Sequence, residues 1–312
     1  MTTDSTDTTD TTDVRVRPGA IQAVPVRHPG RWVTVGLLAV IAAMAVNSVV
    51  TNPNWGWAFQ RDNAFTSSVL EGLRNTLWLT VASMIIGLGL GVLIAVMRLS
   101  SNPILSSAAW LYTWAFRGTP VYVQLLLWAQ IGSLYRKISL GVPFGPAWLT
   151  FDANTLIPAF AAALLGLGLN EAAYVAEIVR AGLISVDHGQ REAADALGMP
   201  RMRTMFRIIL PQAMRVIIPP TGNETISMLK TTSLVVVIPY YELLFNAEAI
   251  GHRTFQPFPM LIMASLFYLA LSSILMVFQY YIERHYARGA SRALPMTPVQ
   301  KVLRRVGVGS AM

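Results

Sequence analysis

Six apolar windows of about 20 residues or more, each carrying few charges, set the terms for this chain: 32–51, 75–97, 110–133, 155–179, 216–240 and 258–282. A helix of that length crosses ~30 Å of hydrocarbon. Backbone that crosses lipid must satisfy its own hydrogen bonds, which favours an all-α integral membrane fold with six transmembrane helices. Composition agrees, with 54% hydrophobic residues, 13% charged residues and a mean hydropathy of +0.48. A water-soluble domain of this size needs more polar surface than that. Gly87, Gly89 and Gly91 in the second window suit close helix contact, or reflect the general frequency of glycine in membrane helices. There is no cysteine, hence no disulfide framework, thiolate metal site or cysteine nucleophile.

The ends differ in character. Residues 1–31 begin with Thr/Asp low complexity, too poor in apolar area to order itself, and continue as a basic, Pro/Gly-punctuated stretch whose arginines suit anionic headgroups. The pattern is not that of a secretory signal. Residues 286–312 form a second polar tail. With the N-terminus inside, the inner segments hold 17 of the 24 Lys and Arg residues and the outer segments five. That asymmetry places both termini in the cytoplasm and explains the high pI without nucleic acid.

Between the fourth and fifth windows lies QREAADALGMPRMRTMFRIILPQAMR, residues 190–215. Asp187 can cap a first helix, with Gln190 in the capping-box position, and Gly198 and Pro200 stop it. Its face, Ala193, Ala194, Ala196 and Leu197, is mostly without bulk. The second helix carries Met205, Phe206, Ile208 and Ile209 to lie against the spans, and Pro211 ends or kinks it. Two readings fit, a helix-turn-helix on DNA or a knob that inserts into a groove of a protein partner. Apolar windows on both sides leave no soluble core for the first.

Glu192-Ala193-Ala194, then Gly198, then Ile208, Leu210 and Pro211 reproduce the pattern EAA-x3-G-x9-I-x-L-P. Arg117-Gly118-Thr119-Pro120, Ala173-Tyr174-x2-Glu177-x2-Arg180 and Lys230-Thr231-Thr232-Ser233-Leu234 follow the same model. Over roughly residues 70–285 the chain resembles the permease subunits of bacterial binding-protein-dependent ABC importers, in the polar amino acid branch. The resemblance implies a type I transmembrane domain of five helices over 70–285, with 32–51 as an additional helix that braces the subunit against its neighbour. It implies a cytoplasmic coupling helix in which Glu192, Ala193, Ala194, Gly198, Leu210 and Pro211 meet an ATPase subunit. It implies as partners ATP-binding cassette ATPases, an extracytoplasmic solute-binding protein and a second permease copy or sibling. ATP and Mg belong to the ATPase, and no cofactor is expected on this chain. The family commonly has an acidic or amide residue after the lysine, where this chain has Thr231.

Ionisable groups inside spans line cavities or pair. Glu177 and Arg180 stand at i, i+3 and can pair. Glu171 has no helical partner, and Gly166 and Gly168 beside Asn170 permit a break in the helix, a recurring transport-site design. Glu224 and Lys230 lie on different faces of one helix. Asn170, Glu171, Glu224 and Lys230 are therefore the candidate substrate path, with Lys230 expected to reach an acid on a neighbouring helix or a substrate carboxylate. Arg117 is read as a structural residue near the inner end of its span, its stem reaching the headgroups.

An enzyme is not expected. The chain has no G-x4-G-K-[ST] loop and no G-x-S-x-G, and its four histidines are scattered, so no metal site is expected either. An ion-coupled secondary transporter shares the spans and buried charges but gives no reason for the loop at 190–215. A polar amino acid importer permease in the bacterial plasma membrane is the reading that absorbs all of these features.

Overall fold

A computed structural model describes residues 29–142 and 145–286. The expected tails therefore fall outside the described residues, except for positions 29–31 and 286. The chain divides into two compact units, Met1–Asn52 and Pro53–Met312.

In the first unit, α1 (Pro29–Thr51) is apolar around its circumference, with Trp32, Leu37, Ile41 and Met44 all exposed. A helix with no polar face belongs in lipid or in a protein core rather than in water.

The second unit starts with α2 (Trp57–Asn63) and the 32-residue α3 (Ser67–Arg98). Next come α4 (Pro103–Gly118), α5 (Val121–Ala129) and α6 (Ile131–Leu134). A hairpin follows, built from β1 (Lys137–Gly141) and β2 (Ala147–Asp152). Then come α7 (Ala153–Leu156) and α8 (Ala159–Ile184). The segment that opens with EAA forms α9 (His188–Ala196) and α10 (Arg201–Thr204), which runs on through a π-helical turn at Met205–Ile209 into α11 (Leu210–Thr231). The chain closes with α12 (Leu243–Arg253) and α13 (Pro257–Tyr286).

Among the described residues, four helices are long and apolar enough to cross a bilayer: Trp32–Thr51, Ser67–Arg98, Ala159–Ile184 and Pro257–Tyr286. The windows at 110–133 and 216–240 take other forms. The first breaks at Thr119–Pro120, where Thr119 is extended at φ −112°, ψ 142°. Proline disfavours helical backbone in the residue before it and supplies no N–H of its own. The second holds Pro219 and Pro220 inside α11 and gives way to a 3₁₀ segment at Thr232–Val237.

The core of this unit is the contact between α3 and α8. A Cβ on Gly91 would stand 2.6 Å from Val175 Cγ1, and one on Gly87 would stand 2.5 Å from Glu171 Cγ. Nothing lies within 4 Å of the corresponding point on Gly89. Two of the three glycines are thus close-approach positions, spaced four apart on one face. The expected break at Gly166–Gly168 does not occur, because α8 is continuous and those glycines receive Leu125 and Ile86 instead. The interruption sits between α4 and α5, at Thr119–Pro120, where proline rather than glycine compels it.

The ends of α3, α12 and α13 away from α9 are pinned by a buried carboxylate. Glu242 caps α12, accepting from the amides of Leu244 at 2.9 Å and Phe245 at 2.6 Å. It also accepts from the hydroxyls of Tyr268 at 2.8 Å and Thr76 at 3.4 Å.

Candidate functional site

A polar cavity of about 330 Å³ opens between α5, α8 and α11, lined on its polar side by Asn170, Glu171, Tyr174, Glu224, Ser227 and Thr231. Three of the four residues expected in the substrate path meet here. Glu171 is 4% exposed, and its Oε1 is buried with no hydrogen bond from the protein among the described residues. Its stem fills the space left by Gly87, so close helix packing delivers the carboxyl to the cavity wall. Glu224 reaches the same cavity from α11, near enough for the two carboxylates to interact electrostatically.

Asn170 does a second job. Its Nδ2 donates to Phe116 O at 2.9 Å and to Gln124 Oε1 at 3.3 Å. Gln124 Nε2 in turn donates to Phe116 O at 2.9 Å and Thr119 O at 3.1 Å. The break between α4 and α5 leaves carbonyls without helical partners, and these two amides satisfy them. Asn170 is therefore a wall residue that also holds a broken helix end.

The break places Arg117. Because α4 begins at Pro103, Arg117 lies roughly 20 Å along it at 1.5 Å per residue, in the last turn of α4. Its guanidinium lies 5.2 Å from the centre of the Tyr174 ring, a cation–π contact, and it is the positive charge that acts on Glu224. Arg117 and Tyr174 are the residues that reasoning from sequence undervalued. The proline at 120 was the available signal that Arg117 stands at an interruption rather than within a span.

Lys230 does not line the cavity, and among the described residues it makes no ion pair. The acid expected for it on a neighbouring helix is not found. Lys230 stands exposed six residues beyond Glu224, on the other face of α11. The expected Glu177–Arg180 pair does form, at 2.8 Å.

On the far side of the membrane helices, Asp187 caps α9 by accepting from Gly189 N at 2.8 Å. The capping box is incomplete, since Gln190 Oε1 instead accepts from Gln212 Nε2 of α11 at 3.2 Å. Ala194 is buried, whereas Glu192, Ala193, Ala196 and Leu197 are exposed. Glu192 lies 3.3 Å from His188 Nδ1. Gly198 takes φ +69°, with Gly198 N bonded to Asp195 O and Met199 N to Ala194 O. This is a Schellman turn, and the left-handed residue costs glycine little. Of the two outcomes expected at Pro211, an end or a kink, the helix does not end. The π turn, in which Leu210 N bonds to Met205 O, takes in the proline, and helix continues from Arg201 to Thr231. Ile209, Ala213 and Ile217 then pack on Val175, Val179 and Leu183 of α8, so the helix that runs from α10 into α11 lies against the helix that bears Glu171.

A family model described as "Binding-protein-dependent transport system inner membrane component" matches residues 87–288. An arginine transport system permease protein of Corynebacterium glutamicum is 50% identical over 280 residues, covering 89% of this chain and 87% of that protein. A histidine/lysine/arginine/ornithine transport system permease protein of Salmonella typhimurium is 36% identical over 220 residues, covering 70% and 90%. Among solved structures, an amino acid ABC transporter crystallised with histidines matches 71% of this chain and 95% of that one, at TM-score 0.61 and 36% identity. A methionine ABC transporter in an inward-facing form shares the fold, at TM-score 0.57 and 17% identity.

Proposed function

The chain belongs to the inner membrane components of binding-protein-dependent transport systems and is a permease subunit of an amino acid ABC importer; from that premise we propose that its polar cavity receives an amino acid with a cationic side chain. One observation carries the reading: two carboxylates, Glu171 and Glu224, line the cavity, and the guanidinium of Arg117 lies 5.2 Å from the ring of Tyr174 in its wall. A zwitterion with an added positive charge balances that set, with its carboxylate toward Arg117 and its side chain toward the unpaired Oε1 of Glu171. An acidic amino acid would meet two like charges in a medium that screens them poorly. The named relatives that carry arginine, lysine, ornithine and histidine agree with this direction. In this scheme Asn170 and Gln124 hold the wall in place, and Lys230, on another face, serves a partner or a different stage of passage.

Six crossings complete the scheme. The broken α4–α5 pair and the proline-bearing α11 cross alongside the four long helices, because their polar backbone ends are satisfied inside the protein. The cytoplasmic side holds both termini and α9. There α9, with Glu192, Ala193, Ala194 and the Gly198 turn, docks on an ATP-binding cassette subunit, and Leu210 and Pro211 join that knob to α11. A solute-binding protein delivers the amino acid outside, and a second permease copy or a sibling completes the pathway. ATP and Mg act on the ATPase. An ion-coupled carrier gives no account of α9.

The transporter reconstituted with its ATPase and binding protein tests this reading. Arginine is expected to stimulate ATP hydrolysis and uptake where glutamate does not, and vanadate is expected to stop uptake where a protonophore does not. Glu171→Gln is expected to lower arginine uptake at least tenfold, the effect of ~1.4 kcal/mol or more, while leaving ATPase assembly intact. Preferential uptake of glutamate by the wild type contradicts the cationic assignment.

A further inference from the structure

The hairpin that links the third and fourth spans has two unlike faces. Its register pairs Lys137 with Asp152 and Ser139 with Thr150 on one side, and Ile138 with Phe151 and Leu140 with Leu149 on the other. Side chains alternate across a strand, so one face is polar, its Ser139 and Thr150 hydroxyls 3.1 Å apart, and the other is wholly apolar. The apolar face is uncovered: Leu140 is 57% exposed, Leu149 56% and Phe151 39%. Two isolated strands are marginal in water, and an apolar face of this kind implies a cover.

The surroundings indicate which cover. The strands leave from α6 and α7, short helices that abut where Gly132 meets Asn154, and only six residues separate Asp152 from the membrane helix α8. Strands of five and six residues span about 17–20 Å. Held upright from the bilayer rim they would carry the apolar face into water; laid over, they bring it to the boundary between headgroups and acyl chains. Tyr135 precedes the first strand and Trp148 stands at the register shift of the second, 59% and 73% exposed, and Arg136 and Lys137 stand at the start of the hairpin. Amphipathic aromatics and snorkelling cations are the residues that populate this layer.

We propose that the paired strands Lys137–Gly141 and Ala147–Asp152 are an interfacial anchor: they lie in the outer leaflet with Ile138, Leu140, Leu149 and Phe151 in the lipid boundary and Ser139 and Thr150 facing water. The proposal rests on the topology given above, which the test checks separately. By lying flat, the hairpin sets the height and tilt of α5 and α8, the two helices that carry the cavity wall on that side.

The chain has no native cysteine, so Leu149→Cys, Leu140→Cys and Thr150→Cys can each carry a single environment-sensitive fluorophore. The assembled transporter is placed in phosphatidylethanolamine/phosphatidylglycerol vesicles, with and without lipids brominated on the acyl chains. Labels at 149 and 140 are expected to be quenched by bromolipid and to show iodide quenching several-fold weaker than the label at 150. Equal iodide access at all three positions overturns the proposal. So does shielding at 149 and 140 without bromolipid quenching, which assigns the face to a neighbouring subunit, or shielding that appears only when the binding protein is added. In intact cells, a membrane-impermeant maleimide reports the side: if Thr150→Cys does not react from outside, the assigned topology fails, while bromolipid quenching still reports lipid contact.

Discussion

Glu242 shows how a single residue can be decisive and yet invisible in the sequence. It is fully buried, and both oxygens accept from main chain and hydroxyls on three helices. Glu242→Gln exchanges an acceptor oxygen for an NH₂ that faces donors. The expected loss is about 1–3 kcal/mol, the cost of leaving a buried polar group unsatisfied. It should appear as a lower melting temperature of the purified transporter, with the arginine preference unchanged. Unaltered melting contradicts the assigned role. No local pattern announces Glu242, because Thr76 stands 166 residues away and Tyr268 26. Glu171 and Glu224 are legible for the opposite reason: a charge within an apolar run is conspicuous wherever the fold places it. Lys230 met the same criterion, but nothing in its own segment says which face of α11 it takes relative to the cavity.

At the scale of elements, the windows locate most helices but not their interruptions. Glycines in α8 suggested a break, yet they lie where Leu125 and Ile86 press in, so small size serves packing and the helix stays whole. Prolines at 120, 211, 219 and 220 have three different outcomes: a break, a π turn and an uninterrupted helix. At the break, Phe116 O has no N–H from residue 120 to accept, and Gln124 and Asn170 donate to it. Within α11, Gln279 Nε2 adds a bond from α13 to Pro219 O at 2.9 Å. The side chain of Gln279 lies against Gly222, so that even one methyl there would collide with it. Gly222→Ala is expected to destabilise the α11–α13 contact by ~1–3 kcal/mol through overpacking. Pairing it with Gln279→Ala is expected to recover part of the loss, and additive losses in thermal unfolding contradict the contact. Gly198→Ala, with open space around it but φ +69° to adopt, strains the turn alone. It is expected to weaken ATPase attachment by ~1–2 kcal/mol while sparing the cavity, as read by co-purification yield.

For the whole molecule, the apolar windows give the class, whereas the charge asymmetry and the loop at 190–215 supply the proposed orientation and the proposed docking side. The cavity could not be foreseen whole, since its wall is assembled from α5, α8 and α11 and depends on a broken helix. The division at Asn52–Pro53 carries its own expectation. A chain starting at residue 53 should retain the fold and the arginine preference of the second unit, as judged by monodisperse elution and ligand-stimulated ATP hydrolysis; aggregation of that chain contradicts its independence. The unbroken helical path from Arg201 to Thr231 has a mechanical consequence. Its 31 residues make a rod roughly 45 Å long, held near its middle where Gln279 grips Pro219 and abuts Gly222. A bar held at such a fulcrum behaves as a see-saw, so on the proposed topology a push on the arm joined to α9 is expected to swing the arm bearing Glu224 the opposite way. On that expectation, narrowing on one side and widening on the other are a single motion, with no separate signal needed to keep both sides from opening together.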